Sequence, residues 1–483
     1  MRYSRVLLVA PRFNKGKHRL AVHPLTGLGY LVEFLKAAGI MVTVIDMNLG
    51  YNDHDLHRKI FEFRPDLIGF MVMTFDHRNV YKTIETIKQK FPQVNVIAGG
   101  PHVSIMRRKV LEDCQAIDYA VFLEGEEALS LLCKGAGLED IPGLIYHKGA
   151  GICINPGADF IVDLDKIPFP MFKEFELQKY PVKQIGIISS RGCPYDCIYC
   201  PVESSIGKKF RHKSAAAVVK EIEYWYNEGY RQILLLDDNF TLVRRRVEDI
   251  CDTLISKHLQ GLRLKCPNGV RADKVDYALL VKMKEAGFDM VAFGVEAGVD
   301  RVLENIKKGE VIKQIERSIS DACHLGFDVD LFFLLGSPGE TPEDVNASFS
   351  LALRYPVRNA NFYNIVPFPT TELYNWLKNN GYFLYALEHI LNNSSHFVNE
   401  PCFYTPEMSR DERRKAFRRA QAVSRKVKKL YFQRKLTGPL FFRKVLSWLY
   451  TFPAAERLIN NNAPLMKLKE GISGVLLNNG PAA

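Results

Sequence analysis

No stretch of the chain approaches the roughly 18 consecutive apolar residues that a membrane-spanning helix needs. The opening Met1-Arg2-Tyr3-Ser4-Arg5 runs straight into a strand-like Val6-Leu7-Leu8-Val9-Ala10, with neither the apolar core nor the cleavage site of a signal peptide. A disulfide framework is missing too. The chain has 10 cysteines in 483 residues, and Cys114, Cys133, Cys153, Cys251, Cys266, Cys323 and Cys402 are scattered, mostly in apolar settings. They read as reduced core thiols. These absences exclude a helical membrane span and predict a cytoplasmic protein. Acidic charge is in short supply: the net charge is +11. That excess suits nucleic acid, anionic lipid head groups or a phosphorylated substrate, or is simply a solvated basic surface. Hydrophobic residues at 47% and charged residues at 25% are ordinary for a globular protein. The length allows two or three domains with full cores.

What the sequence does contain is three cysteines in one short run, Ser190-Arg191-Gly192-Cys193-Pro194-Tyr195-Asp196-Cys197-Ile198-Tyr199-Cys200-Pro201. Thiolates at C-x3-C-x2-C spacing can wrap one loop around three corners of an iron–sulfur cube. Three ligands leave the fourth iron open, and an open metal position usually signals chemistry. A zinc site would want a fourth Cys or His at short spacing, for which His212 is the only nearby candidate. An iron–sulfur electron carrier or sensor, the reading outside enzymes, normally supplies all four thiolates.

Around this loop the chain alternates strand and helix patterns. Strand-like runs at 6–10, 42–45, 67–73, 94–98 and 119–123 alternate with amphipathic segments at 28–38, 78–90 and 126–132. The alternation predicts a Rossmann-like (flavodoxin-like) parallel sheet. Such sheets bind ligands beyond the carboxyl ends of their strands, where Gly27, Gly29, Thr74, Gly99, Gly100, Pro101, His102, Glu124, Gly125 and Glu126 fall. A second series follows: strands at 184–189, 232–236, 262–266, 290–294, 329–335 and 361–366, with helices between them, for example at 215–226 and 278–286. Six βα repeats predict a partial (β/α)6 TIM-type barrel with its chemistry at the strand ends. The expected domains are 1–140, a proline-punctuated linker 141–183, the barrel 184–375 and a helical C-terminal region 376–483.

The barrel's strand ends carry unusual residues. Asp237, Asp238 and Asn239 follow its second strand, and adjacent carboxylates are costly unless they meet a cation or hydrogen-bond donors. Helix N-capping is the simpler alternative. Arg271 follows the third strand and can pair with a carboxylate through its planar fork, or serve a structural ion pair. Glu296 ends the fourth. Gly336-Ser337-Pro338-Gly339 follows the fifth, where glycine permits close backbone approach. Thr341-Pro342-Glu343-Asp344 reads as a helix start.

The cysteine loop, with Tyr199 just before its last cysteine, resembles that of the radical S-adenosylmethionine (SAM) superfamily. The Thr26-Gly27-Leu28-Gly29, Gly99-Gly100-Pro101-His102 and Gly125-Glu126-Glu127 segments resemble the B12-binding domain that precedes many such barrels. The resemblance implies a 4Fe–4S cluster on Cys193, Cys197 and Cys200. It also implies SAM near Tyr199, Asp237, Asp238, Asn239, Arg271, Glu296, Gly336 and Pro338, and cobalamin over the glycine-rich ends of the first sheet. The D-x-H-x-x-G motif of cobalamin proteins with a histidine lower ligand does not follow the first strand; Asp55-Leu56-His57 is only a partial match and reads as surface.

The implied activity is cleavage of SAM to a 5′-deoxyadenosyl radical, then methylation of an unactivated carbon through methylcobalamin. Ring formation or rearrangement is the alternative; a tRNA methylthiotransferase fits less well, since only Cys114, Cys133 and Cys153 precede the loop. A one-electron reductant such as ferredoxin or flavodoxin is implied. No residue is singled out as a radical relay: Tyr195, Tyr363 and Cys323 are redox-capable but read better as packing.

From Arg410 the composition changes. Arg and Lys crowd residues 410–444 against only Asp411 and Glu412, interleaved with Tyr431, Phe432, Phe441, Phe442 and Trp448. A basic, aromatic amphipathic helix suits a membrane surface, which would give a cytoplasmic enzyme peripheral access to a small hydrophobic or lipid-like substrate (lipid, isoprenoid or tetrapyrrole). It also suits a helical cap on the barrel with outward charges. Nucleic acid is the least favoured partner.

Overall fold

The computed structural model describes residues 1–12, 23–157, 160–393, 400–436 and 439–452, with a few positions between 455 and 466. The first module is a seven-stranded sheet. Five parallel strands, β1 (Arg5–Ala10), β2 (Met41–Asp46), β3 (Leu67–Met71), β4 (Asn95–Gly99) and β5 (Tyr119–Val121), lie in the order β2-β1-β3-β4-β5. This is the expected flavodoxin-like order, with helices on both faces. Those helices are α1 (Thr26–Ala37), α2 (Asp53–Phe63), α3 (His77–Lys90), α4 (Pro101–Met106), α5 (Lys109–Asp113) and α6 (Glu126–Lys134). β1 reads as a continuous apolar run because both its faces are buried.

Two elements lie outside the strand and helix patterns read from the sequence. Residues 53–63, where Asp55-Leu56-His57 reads as surface, form α2, started by an Asn52–Asp55 capping box. The segment expected as a linker from 141 begins with two strands, β6 (Leu144–Lys148), antiparallel to β5, and β7 (Gly151–Ile154), antiparallel to β6, which extend the first sheet. Leu144, Ile145 and Tyr146 are buried there. Burial of three consecutive side chains removed the alternation that would have marked an antiparallel strand.

The barrel strands β8 (Gln184–Ile187), β11 (Gln232–Leu235), β12 (Arg263–Val270), β13 (Phe288–Glu296), β14 (Asp328–Leu335) and β15 (Asn359–Asn364) are all parallel and follow one another in sequence order. β8 and β15 stand at opposite edges, so the barrel is open. A short antiparallel pair, β9 (Ser190–Arg191) with β10 (Arg211–His212), brackets the cysteine loop. Helices α7 (Val202–Ser205), α8 (Ala215–Asn227), α9 (Arg244–Lys257), α10 (Tyr277–Glu285), α11 (Asp300–Asn305), α12 (Ile312–His324) and α13 (Pro342–Arg354) connect the strands.

Among the described residues, four helices follow: α14 (Glu372–Asn380), α15 (Leu387–Asn393), α16 (Arg410–Lys435) and α17 (Leu440–Thr451). α16 packs along β15 and against α13, with α17 against α16. Its apolar face, including Ala416, Phe417, Ala420 and Val427, is buried against the barrel. Lys415, Arg418, Arg419, Arg425, Lys426 and Arg434 of α16 are exposed, and Arg413 is buried.

One apolar core runs through both modules, joining residues of β1, α1 and α6 to those of β8, α8 and the barrel. A second core fills the far side of the first sheet. α1 lies at the junction. Thr26 Oγ1 donates to the Gly186 carbonyl (3.0 Å) and the Tyr30 hydroxyl to that of Ile188 (3.2 Å). Gly29 has no room for a side chain: a Cβ would lie 2.6 Å from both Phe172 and Pro170.

Candidate active site

The cysteine loop leaves the barrel at Gly192. This residue has φ +85°, and a Cβ there would sit 2.3 Å from the Lys209 carbonyl oxygen; only glycine fits. Backbone bonds then fix the loop. Cys193 N donates to the Gly207 carbonyl (3.3 Å), Ile198 N to that of Ile306 (3.2 Å) and Cys200 N to that of Cys197 (3.1 Å). Cys193, Cys197 and Cys200 line one recess of about 290 Å³ together with Tyr195, Lys307 and Thr371. Burial pushes all three thiols up, Cys200 to about 12. A metal must therefore supply the charge that makes them thiolates.

Among the described residues no three His, Cys, Asp or Glu side chains converge as a single-ion site, and His212 Nδ1 lies 3.0 Å from the Lys213 carbonyl. A cubane asks for something else, one thiolate at each of three corners, and a loop that lines a recess with three thiols suits that donor set.

The strand-end residues divide into braces and open groups. Asp237 is fully engaged within the protein: it accepts from Ser189 N (2.6 Å), Ser189 Oγ and Ser190 Oγ (2.8 Å). It thus holds the strand that leads into the cysteine loop. Asp238 beside it is held up at about 6, first by the protein around it and then by the Asp237 charge. Its surface is open to solvent, which screens that effect. Asn239 is 1% exposed, and both its amide atoms lack a hydrogen-bond partner, as does Thr241 Oγ1. Buried amides without partners are rare and usually await a ligand or water.

Arg271 is committed to the protein. Its Nε donates to Asp273 (2.8 Å), its Nη atoms to the Lys308 and Gly309 carbonyls (2.8 and 3.2 Å), and its guanidinium stacks 3.6 Å from the Tyr195 ring centre. It therefore braces the cysteine loop from the β12 end.

Glu296 ends β13 with φ +64°, a left-handed backbone that a non-glycine residue rarely adopts. Its Oε1 accepts from Lys308 Nζ (3.1 Å). Tyr199 is half-buried near Glu296, and desolvation together with that carboxylate raises the pKa of its hydroxyl. Burial works against the Lys308 charge, but the Glu296 and Glu310 carboxylates outweigh it and raise its pKa. Lys308 and Glu310 were not singled out by the sequence reading. Nothing local marks them: Lys307-Lys308-Gly309-Glu310 lies just past α11 among other charged residues such as Asp300, Arg301, Glu304 and Lys313.

Gly336 has φ +92°, and a Cβ would collide with the Arg413 guanidinium of α16 (1.9 Å). The Pro338 carbonyl accepts from Asn305 Nδ2 (2.9 Å).

The first sheet's strand ends are likewise mixed. Gly27 has open space where a Cβ would be, and Gly99 and Gly125 meet only ordinary contacts at 3.8 Å. A flat macrocycle laid on strand ends needs such bare backbone. Gly100 (φ +101°) turns the chain into α4, with Pro101 at its first position. The Thr74 carbonyl lies 2.8 Å from His77 Nδ1, and His102 stacks on His77 (4.3 Å) with Nε2 3.0 Å from the Tyr81 hydroxyl. Burial, then His77, keeps His102 neutral; its Nδ1 is buried without a partner. Glu124 and Glu126 turn to the barrel: Arg191 donates to both (2.9 and 2.7 Å), and Arg211 to Glu124 (2.7 Å).

Residues 187–352, which hold the cysteine loop and four of the strand ends, match the radical SAM superfamily; residues 16–132 match the B12 binding domain. The chain thus carries a radical SAM domain and, before it, a B12-binding domain. An uncharacterised methyltransferase of Pyrococcus horikoshii is 29% identical over 386 residues, 78% of this chain and 83% of the relative. The anaerobic magnesium-protoporphyrin IX monomethyl ester cyclase of Rubrivivax gelatinosus is 27% identical over 392 residues, 77% of this chain and 69% of the relative. Among solved structures, the radical SAM methyltransferase TsrM of Kitasatospora setae, with cobalamin and a 4Fe–4S cluster bound, aligns with TM-score 0.70 at 19% identity, covering 98% of this chain and 100% of that one. At that identity the likeness is one of fold. The chain thus shares the fold of TsrM along nearly its whole length.

Proposed function

We propose that this cobalamin-dependent radical SAM enzyme methylates an unactivated carbon of a small hydrophobic substrate, such as a lipid, isoprenoid or tetrapyrrole. The observation that carries the reading is the meeting of two parallel-sheet modules through their strand ends, one bearing the three-thiol loop and the other bare glycine backbone. When bound, the reduced cluster and SAM supply the power to abstract hydrogen, and methylcobalamin supplies the methyl group.

The chain's own residues hold and orient. Cys193, Cys197 and Cys200 carry the cluster. Asp238 and the unpartnered Asn239 amide offer acceptors to the SAM ammonium, and Tyr199, Glu296, Gly336 and Pro338 border the remainder of SAM. Asp237 and Arg271 act behind them, one bracing β8 and the other the loop. Gly27, Thr74, Gly99, Gly100, Pro101, His102 and Gly125 border cobalamin, with Gly29 packing α1 onto the linker.

A one-electron donor of the ferredoxin or flavodoxin type fits the solvent side of the cysteine recess, where Lys208 and Lys307 stand at the rim. Phe441 and Trp448 of α17 and Phe452 just after it are 79%, 50% and 44% exposed, and α16 carries exposed Arg and Lys. They support peripheral contact with a membrane that stores such a substrate.

Anaerobic protein supplied with iron, sulfide and cobalamin is the test. Wild type should show a corrin spectrum and release 5′-deoxyadenosine from SAM. Cys197→Ala should lose 5′-deoxyadenosine formation and keep the corrin. Full activity of that variant would sink the cluster assignment. Ring formation is the second reading, favoured by the likeness to the Rubrivivax cyclase. Incubation with deuterated-methyl SAM separates the two, since only methylation carries the label into product.

A further inference from the structure

Glu124 and Glu126 point away from the open glycine surface of their own sheet and into the barrel. Arg191 Nη1 bonds Glu124 (2.9 Å) and its Nη2 bonds Glu126 (2.7 Å). Arg211 Nη1 bonds the same Glu124 oxygen (2.7 Å) and the Ile161 carbonyl (2.9 Å). The other Glu124 oxygen accepts from Ile161 N (3.1 Å). Side chains of all four residues are at most 11% exposed, and two cations against two carboxylates leave the cluster neutral. Arg191 also lies 5.0 Å from the Tyr30 ring centre on α1. It is two residues before Cys193, and its strand β9 pairs with β10, which carries Arg211. One charge-neutral knot thus ties the loop after β5 to both stems of the cysteine loop.

We propose that Arg191 is a positioning residue that locks the cysteine loop to the loop after β5, so that the corrinoid site of the first module depends on a residue of the barrel. The corrinoid part rests on the function proposed above; the lock itself rests on the ion pairs. A buried pair broken on one side leaves an unpaired charge out of water, so a single reversal should move both loops while exchanging the two charges should restore them.

Three full-length variants test this: Arg191→Glu, Glu126→Arg and the two combined. Hydrogen–deuterium exchange is read in residues 120–130 and 186–193, and aquocobalamin binding by visible titration. Each single reversal is expected to speed exchange in both segments at least tenfold and weaken aquocobalamin about tenfold; the combined variant should recover most of both. Arg191→Gln gives the same readout in milder form should a reversal fail to fold. Unchanged exchange in 120–130 on altering Arg191 overturns the lock. Loss of aquocobalamin binding in Glu126→Arg that the exchange of charges does not recover makes Glu126 a direct corrinoid contact and overturns the positioning role. A wild-type chain that binds no aquocobalamin removes the proposed function, and the exchange arm still decides the lock.

Discussion

Glu340 is the most telling single residue outside the cysteine loop. It lies fully buried in the turn between β14 and α13, where Oε2 accepts from Gly336 N (2.6 Å) and Ser337 N (3.3 Å) and Oε1 has no partner. Burial lifts its pKa from 4.5 to about 7, against the pull of those amides and of Arg413. A carboxyl raised on folding favours the folded state most when protonated. Its contribution is therefore whole below about pH 4.5 and is lost as pH rises toward 7, an effect of at most about 3 kcal/mol. Glu340→Gln keeps an acceptor for the two amides and removes the charge. Its urea-unfolding free energy should fall less between pH 5 and pH 8 than that of the wild type. Parallel pH slopes for the two proteins would show that Glu340 is ionised throughout.

The element that answers Glu340 is α16. It starts at the Ser409–Glu412 capping box and carries Arg413, 1% exposed, into the barrel wall. There the guanidinium donates to the Phe403 carbonyl and to that of Leu335 (3.1 Å) and stacks 3.9 Å from the Phe403 ring centre. Burial pulls its pKa down to about 10, partly offset by Cys402 and Glu340. Gly336 makes room for it. Gly336→Ala would place a methyl where Arg413 lies, on backbone at φ +92°. A loss of about 2–4 kcal/mol is expected in urea unfolding, together with weaker SAM binding by calorimetry. An alanine variant as stable as wild type would mean that α16 can shift without consequence.

The element also shows where sequence reading stops. Charge and aromatic spacing established a basic amphipathic helix, but nothing in that pattern says that one of its arginines is buried. The cysteine loop was legible because its chemistry is local, three sulfurs within eight residues. The strand order was legible from the βα alternation. Arg191, Lys308 and Arg413 were not, because each acts on a partner brought near only by folding. The β6–β7 hairpin escaped because its first strand is buried on both faces.

At the scale of the whole molecule, the two modules are not independent bodies joined by a tether. The inner face of the first sheet and the barrel wall share one apolar core, and the linker supplies its centre. Phe172 is 1% exposed. Its ring lies 5.7 Å from that of Trp225 on α8 and 5.1 Å from that of Phe175, and it closes the space above Gly29 of α1. A phenylalanine so enclosed contributes to both modules at once. Phe172→Ala should cost about 3–5 kcal/mol. Because the cavity opens between the modules, the loss should appear in one unfolding transition that carries first-sheet and barrel signals together. Trp225 fluorescence reports the barrel side, and hydrogen exchange across β1 reports the sheet. If the two probes lost stability by different amounts, the modules would be separable units, and the alignment of their strand ends would rest on the polar contacts at Arg191, Thr26 and Tyr30.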